Sequence, residues 1–175
     1  MSDVLQPTYG NFVVRGIVSG LQRDNAYQKD EDGQWKRLSF SVNTSKTNRV
    51  YVTVVGFKND TVKFKKDEKG SKELIDVPWK DRYKELKGYK LLAPVNVGLE
   101  KDEEGKNITK ALVSYDAVDY IYENLQDGDS VFVKGNLNFD EYTGQNGTRT
   151  SLNFIVNAIY KTSEPIDFDN DEFEE

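Results

Sequence analysis

The chain contains no cysteine and no histidine among its 175 residues. Without cysteine there is no disulfide framework and no thiolate metal site. Without histidine, imidazole-based triads, imidazole acid–base chemistry and histidine zinc sites are excluded together. Apolar runs are short, and none approaches membrane-spanning length. Met1 to Pro7 carry neither the basic nor the apolar stretch that marks a signal peptide. These absences predict a soluble, cytoplasmic protein with no metal, no cofactor and no membrane partner. Asn43, Asn59, Asn107 and Asn146 begin N-x-S/T sequons, which in such a protein are chance matches. Hydrophobic residues make up only 37% of the chain, while aromatics reach 12% through ten Tyr and nine Phe. That balance suits a small, mostly β core or a stacking surface.

Charge is present in quantity and unevenly placed. There are 24 Lys+Arg against 30 Asp+Glu, a net charge of −6. Ser163 to Glu175 hold seven of the carboxylates and no cation, so residues 1–162 sum to 24 − 23 = +1. A block of like charge reads as a solvated interaction tail. The expected organisation is one folded domain over 1–162 and an acidic protein-interaction tail over 163–175. The tail's candidate contacts are Asp167, Phe168, Asp169, Asp171, Glu172 and Phe173, since a merely solubilising tail needs no exposed phenylalanine. Phe beside Asp also imitates base beside phosphate, so the tail is a candidate to lie across its own basic groove. Asp167, Asp169 and Asp171 mimic the start of a calcium loop. The glycine at the sixth position is missing and the chain ends before the twelfth, which excludes it.

Strict alternation marks the strands. Residues 12–18 read as a first strand, with Gly16 a bulge or a point of close approach. In residues 35–43, Lys36, Leu38, Phe40 and Val42 share one face and Trp35, Arg37, Ser39, Ser41 and Asn43 the other. In residues 49–57, Val50, Val52 and Val54 oppose Arg49, Tyr51, Thr53, Val55 and Phe57. Residues 58–90 are rich in lysine, with 11 Lys+Arg against 7 Asp+Glu. Within them Trp79 to Lys87 reads as a short helix closed by Gly88. Residues 89–99 and 107–113 read as a further hairpin. Ser114 onward is the strongest helix signal, with Ser114 as N-cap, Asp116 in the first turn and Ala117, Val118, Ile121 and Leu125 as the apolar stripe. Two last strands, 130–140 and 148–160, join through Asn146-Gly147. Parity puts Phe139 with Leu137 in the core. Five strands with a helix between the third and fourth is the order of an OB-fold, a Greek-key barrel. The expected fold is therefore mainly β, with an insertion at about 58–113.

Tyr115-Asp-Ala-Val-Asp-Tyr-Ile, Asp127-Gly-Asp-Ser-Val-Phe-Val-Lys-Gly-Asn-Leu and the hairpin to Tyr160 resemble phage-type single-stranded DNA-binding proteins with an OB-fold. The Glu164-Pro-Ile-Asp-Phe run and acidic end are similar too. The resemblance implies coating of single-stranded DNA in replication, recombination and repair. It implies a tail that recruits a polymerase, helicase or primase, leaves room for self-association, and places a phage-encoded protein in the host cytoplasm.

Binding unpaired nucleotides takes aromatic faces for bases and cations for phosphates. Trp35, Arg37, Arg49, Tyr51 and Phe57 supply both on the face opposite the valines. The alternative is that these rings pack beneath the insertion. Lys134, Tyr142 and Arg149 are further candidates on the second hairpin, against an alternative of ordinary surface residues. Lys63, Lys65, Trp79 and Lys80 in the insertion would widen the positive footprint. There the plainer expectation is a solvated lysine face with Trp79 anchoring it to the barrel. Rival functions are a carboxylate-and-metal nuclease, to which Asp116, Asp119, Asp127 and Asp129 would contribute, a protein-only adaptor, and an RNA-binding protein. The nuclease lacks any phosphate-cradling glycine loop, so the expectation is a non-enzyme.

Overall fold

Alternating β-branched and aromatic residues favour extended chain with one buried face. The computed structural model describes residues 10–144 and 147–169, and there the alternating segments form strands. They are β1 (Asn11–Ser19), a short β2 (Tyr27–Lys29), β3 (Trp35–Asn43) and β4 (Arg49–Phe57). The inserted segment supplies β5 (Thr61–Lys66), β6 (Leu74–Pro78), β7 (Tyr89–Leu91), β8 (Val95–Lys101) and β9 (Asn107–Leu112). Then come α1 (Ser114–Asn124), β10 (Ser130–Gly144) and β11 (Gly147–Lys161). The fold is mainly β, with more strands than the five expected.

β1 pairs with β10 and β3, β3 with β4, β4 with β11 in parallel, and β11 with β10. The pairings return to their starting strand and enclose a core. Leu38, Phe40 and Val42 from β3 meet Val52 and Val54 from β4, Val131 and Val133 from β10, and Ile159 from β11. Burying each such side chain contributes about 1.5–3 kcal/mol. Ala117, Val118 and Ile121 of α1 close one side. The valine and leucine faces are those that the alternation marks.

The insertion is not one appendage. β8 adds to β11 in parallel and carries β9 with it. β5, β6 and β7 form a separate three-stranded sheet in the order β6-β5-β7. The strand expected over 89–99 is therefore split between two sheets. It breaks at Ala93, whose φ of 49° makes it the one non-glycine with positive φ among the described residues.

Three local expectations are corrected, and the alternative left open at Gly16 is decided. Ser114 is the first helical residue, and Val113 occupies the cap position with no side-chain cap bond. Asp116 contributes instead by holding Arg82, whose Nε and Nη2 donate to it at 2.7 and 3.2 Å. The helix expected over Trp79–Lys87 shrinks to a 3-10 turn at Trp79–Asp81. A stretch that short makes too few internal bonds to offset nucleation, and its side chains are used to grip α1. Gly16 is a close approach, not a bulge. A Cβ there would lie 2.0 Å from the Asn43 carbonyl oxygen, and the β1–β10 register passes through it unbroken. Phe139, expected in the core, is 63% exposed. β10 and β11 run on past the ring as a two-stranded arm, and residues 138–141 and 147–152 are exposed. Beyond the ring, strand parity has no core to point to.

Candidate nucleic-acid interface

The β3–β4 register fixes the outward face. Trp35 lies opposite Phe57, Arg37 opposite Val55, Ser39 opposite Thr53, Ser41 opposite Tyr51 and Asn43 opposite Arg49. Tyr51 and Phe57 are 58% and 60% exposed. Arg37 and Arg49 are exposed and Trp35 is half-buried. The Tyr51 and Phe57 rings are therefore open to solvent and not covered by the insertion.

A hollow of about 300 Å³ opens over the middle of this face. Arg37 of β3, Tyr51 of β4 and Leu152 of β11 line it, with Arg23 and Gln28 from the connection between β1 and β3. The Arg23 guanidinium stands 5.8 Å from the centre of the Tyr51 ring. Arg37 Nε donates to Ser39 Oγ at 3.0 Å, which aims its remaining donors outward. Among the described residues no carboxylate pairs with Arg23, Arg37 or Arg49. Arg23 and Arg37 beside an open ring, with Arg49 exposed further along the same face, suit a chain of phosphates and bases.

Phe57 sits at the other end of β4, in a second hollow of about 490 Å³ that it shares with Lys63 and Trp79. Lys63 is paired with Asp76 at 3.0 Å. Lys65 is half-buried and Lys80 exposed. Trp79 meets Tyr115 edge-on with ring centres 5.6 Å apart, and Arg82 stacks on its other side at 4.4 Å. Tyr83 donates to Asp116 Oδ2 at 2.6 Å. Burial and that bond to a carboxylate push the Tyr83 phenol up to about 12. Trp79, Arg82 and Tyr83 thus fasten the inserted sheet to the start of α1. Gly56 makes the seat possible, because a Cβ there would lie 2.2 Å from the Tyr115 backbone nitrogen.

The remaining candidates lie apart. Lys134 is exposed on β10, which pairs with β1 and β11 but with neither β3 nor β4. Its Nζ stands 5.2 Å over the Phe132 ring. Arg149 is exposed on the arm and pairs in register with Tyr142, whose side chain lies outside the described residues. In the tail, Asp167 is exposed and Phe168 half-buried, while Asp169 is exposed and pairs with Lys46 in the β3–β4 loop. Asp171, Glu172, Phe173 and Asn146 lie outside the described residues. The solvated run expected from Ser163 is interrupted by Ile166, which is buried, with its N–H bonded to Ser130 Oγ at 2.8 Å.

The four nuclease carboxylates hold structure. Asp116 takes Arg82 and Tyr83, and Asp119 takes Lys36 and the Tyr27 hydroxyl. Asp127 accepts from the Leu21 N–H and Asp129 pairs with Lys161. Burial works against the charge on Lys36, but Asp119 outweighs it and holds the ammonium above its ordinary value. Burial and the Asp119 bond push Tyr27 up to about 12.

Sequence reasoning missed Arg23, Gln28 and Leu152. Arg23 stands in a polar stretch with no periodicity, and nothing local says that its loop folds over Tyr51. Leu152 reaches the hollow only because β11 closes beside β4, a long-range pairing.

Fold and face together define a mainly β protein built on a closed ring of strands, with one open face that is cationic and aromatic. Its sequence matches the model of the YorF family over residues 10–175. The chain belongs to that family. No curated protein matches it in sequence. Among solved structures it is similar to the mitochondrial single-stranded DNA binding protein Rim1 from S. cerevisiae. The selenomethionine-labelled second crystal form gives a TM-score of 0.42 at 7% identity, covering 89% of this chain and 96% of that one. The unlabelled second form gives 0.39 at 10%, covering 88% and 94%. The first form gives 0.40 at 8%, covering 88% and 96%.

Proposed function

We propose that this protein binds single-stranded DNA without sequence preference and that its closed ring is an OB barrel. The observation that carries this is that Arg23, Arg37 and the exposed Tyr51 ring line one open hollow, with no carboxylate paired to either guanidinium among the described residues. Bases stack on the ring and phosphates follow the guanidinium groups. The protein does no chemistry on the strand: it coats and protects it during replication, recombination and repair. The acidic end recruits a polymerase, helicase or primase, in the cytoplasm of the host if the chain is phage-encoded.

Titration with oligo-dT over a series of salt concentrations tests the proposal. Tyr51→Ala costs about 1–3 kcal/mol of affinity, the value of one stacked base. Arg37→Gln weakens binding to all sequences and reduces the salt slope by about 1. Absence of salt-dependent affinity for oligo-dT identifies a protein adaptor instead, and affinity that survives both changes moves the site away from Tyr51.

A further inference from the structure

We propose that the hollow between the inserted β5–β6–β7 sheet and the ring is a second nucleotide site, which receives the bound strand as it leaves the Tyr51 hollow. This rests on the single-strand reading above. Four observations carry it.

The first is continuity. Both hollows open on the outward face of β4, with Tyr51 in one and Phe57 in the other. Phe57 follows Tyr51 by six positions of strand, about 20 Å at the rise of extended chain. Phe57 is 60% exposed and has Trp35 as its cross-strand neighbour, so aromatic surface runs up to the mouth.

The second is lining. Phe57, Val62 and Leu91 give apolar surface for a ring, and Asn59, Ser114 and the Lys63–Asp76 pair give hydrogen-bonding groups around it. A hollow that joins an aromatic wall to several polar groups suits a nucleotide, and about 490 Å³ falls within the usual range for small-ligand sites. The third is charge. Exposed Lys58 and Lys80 directly follow the lining residues Phe57 and Trp79, while exposed Asp60 and Asp76 stand among them. The segment 58–90 still sums to 11 − 7 = +4, a net positive surround for a polyanion. The fourth is strain. Ala93, the described non-glycine with positive φ, lies in this wall and sets the turn that presents Leu91 and Leu92. Such backbone is held only where surrounding structure fixes it, and it gathers at binding sites.

The two tryptophans give the test. In Trp35→Phe, the only tryptophan left is Trp79, which lines this hollow. Its emission should be unmoved by an oligo-dT of about four nucleotides and changed by one of about sixteen, the span of single-strand site sizes. Thr61→Glu, an exposed change at the rim, should weaken the longer strand about tenfold and leave the shorter one unaffected, the loss of about one stacked base. If Trp79 stays silent with the long strand while Trp35 responds in Trp79→Phe, the second site falls and the Tyr51 hollow stands. If Thr61→Glu binds the long strand as tightly as the parent, the second site also falls. If neither tryptophan responds and no binding is seen, both proposals fall.

Discussion

Tyr27 is half-buried, donates to Asp119 at 2.8 Å and stacks beside Tyr122 with ring centres 5.0 Å apart. Its folded pKa of about 12 lies above the ordinary 10.0, so the folded state favours the protonated phenol. The stability this gives is complete below pH 10.0 and is lost as pH rises from there toward about 12. Denaturant midpoints measured across that window should fall, and Tyr27→Phe should flatten the fall. At this scale much was legible. Trp35, Arg37, Tyr51 and Phe57 are on the face that alternation assigns to them, because the opposite side chains Leu38, Phe40, Val52 and Val54 had a core to fill. Phe139 was not legible, since parity names two sides of a strand without saying whether either meets a core. Ser114 was misjudged because capping preference is a weak local term, while Asp116 and the Gly56 seat fix where α1 begins.

Among the elements, the inserted sheet was the hardest to foresee. β5, β6 and β7 are short, and lysines at both parities hide their alternation. What fixes the sheet is its grip on α1, a contact between Arg82 and Asp116 that lie 34 residues apart. The Asp116 bond holds Arg82 above its ordinary pKa. Asp116→Asn should cost about 1.5–3 kcal/mol, as expected for a charged hydrogen bond. The loss should be local: amides of β5 to β7 exchange faster with deuterium, while those of β3 and β4 keep their protection. Gly56→Ala strikes the same junction from the other side. A methyl group 2.2 Å from backbone must push α1 off β4, costing about 1–3 kcal/mol, and thermal unfolding should show it.

For the whole molecule, the acidic end is two things. Residues through Asp169 follow the folded body, and Ile166 is one of its core side chains. Ile166→Ala should therefore lower stability by about 2–5 kcal/mol, visible in a denaturant melt. A truncation meant to remove the acidic end without harming the fold should begin after Asp169, not at Ser163. Composition revealed the charge of this segment, but a single isoleucine among carboxylates does not announce that it is buried. What holds it there includes Ser130 of β10, 36 residues back in the sequence, which accepts its backbone N–H.

β11 is the strand on which three others converge, pairing with β4, β8 and β10. Its contact with β4 joins residues about a hundred positions apart, at Phe154 with Val52 and Ile155 with Thr53. Contacts between such distant residues pay their loop-closure entropy before they return any energy, which slows folding. During synthesis the early strands emerge first and wait, with the valines of β4 facing water, until Gly147 to Lys161 leave the ribosome. A chaperone that covers β3 and β4 in that interval should therefore raise the yield of native chains.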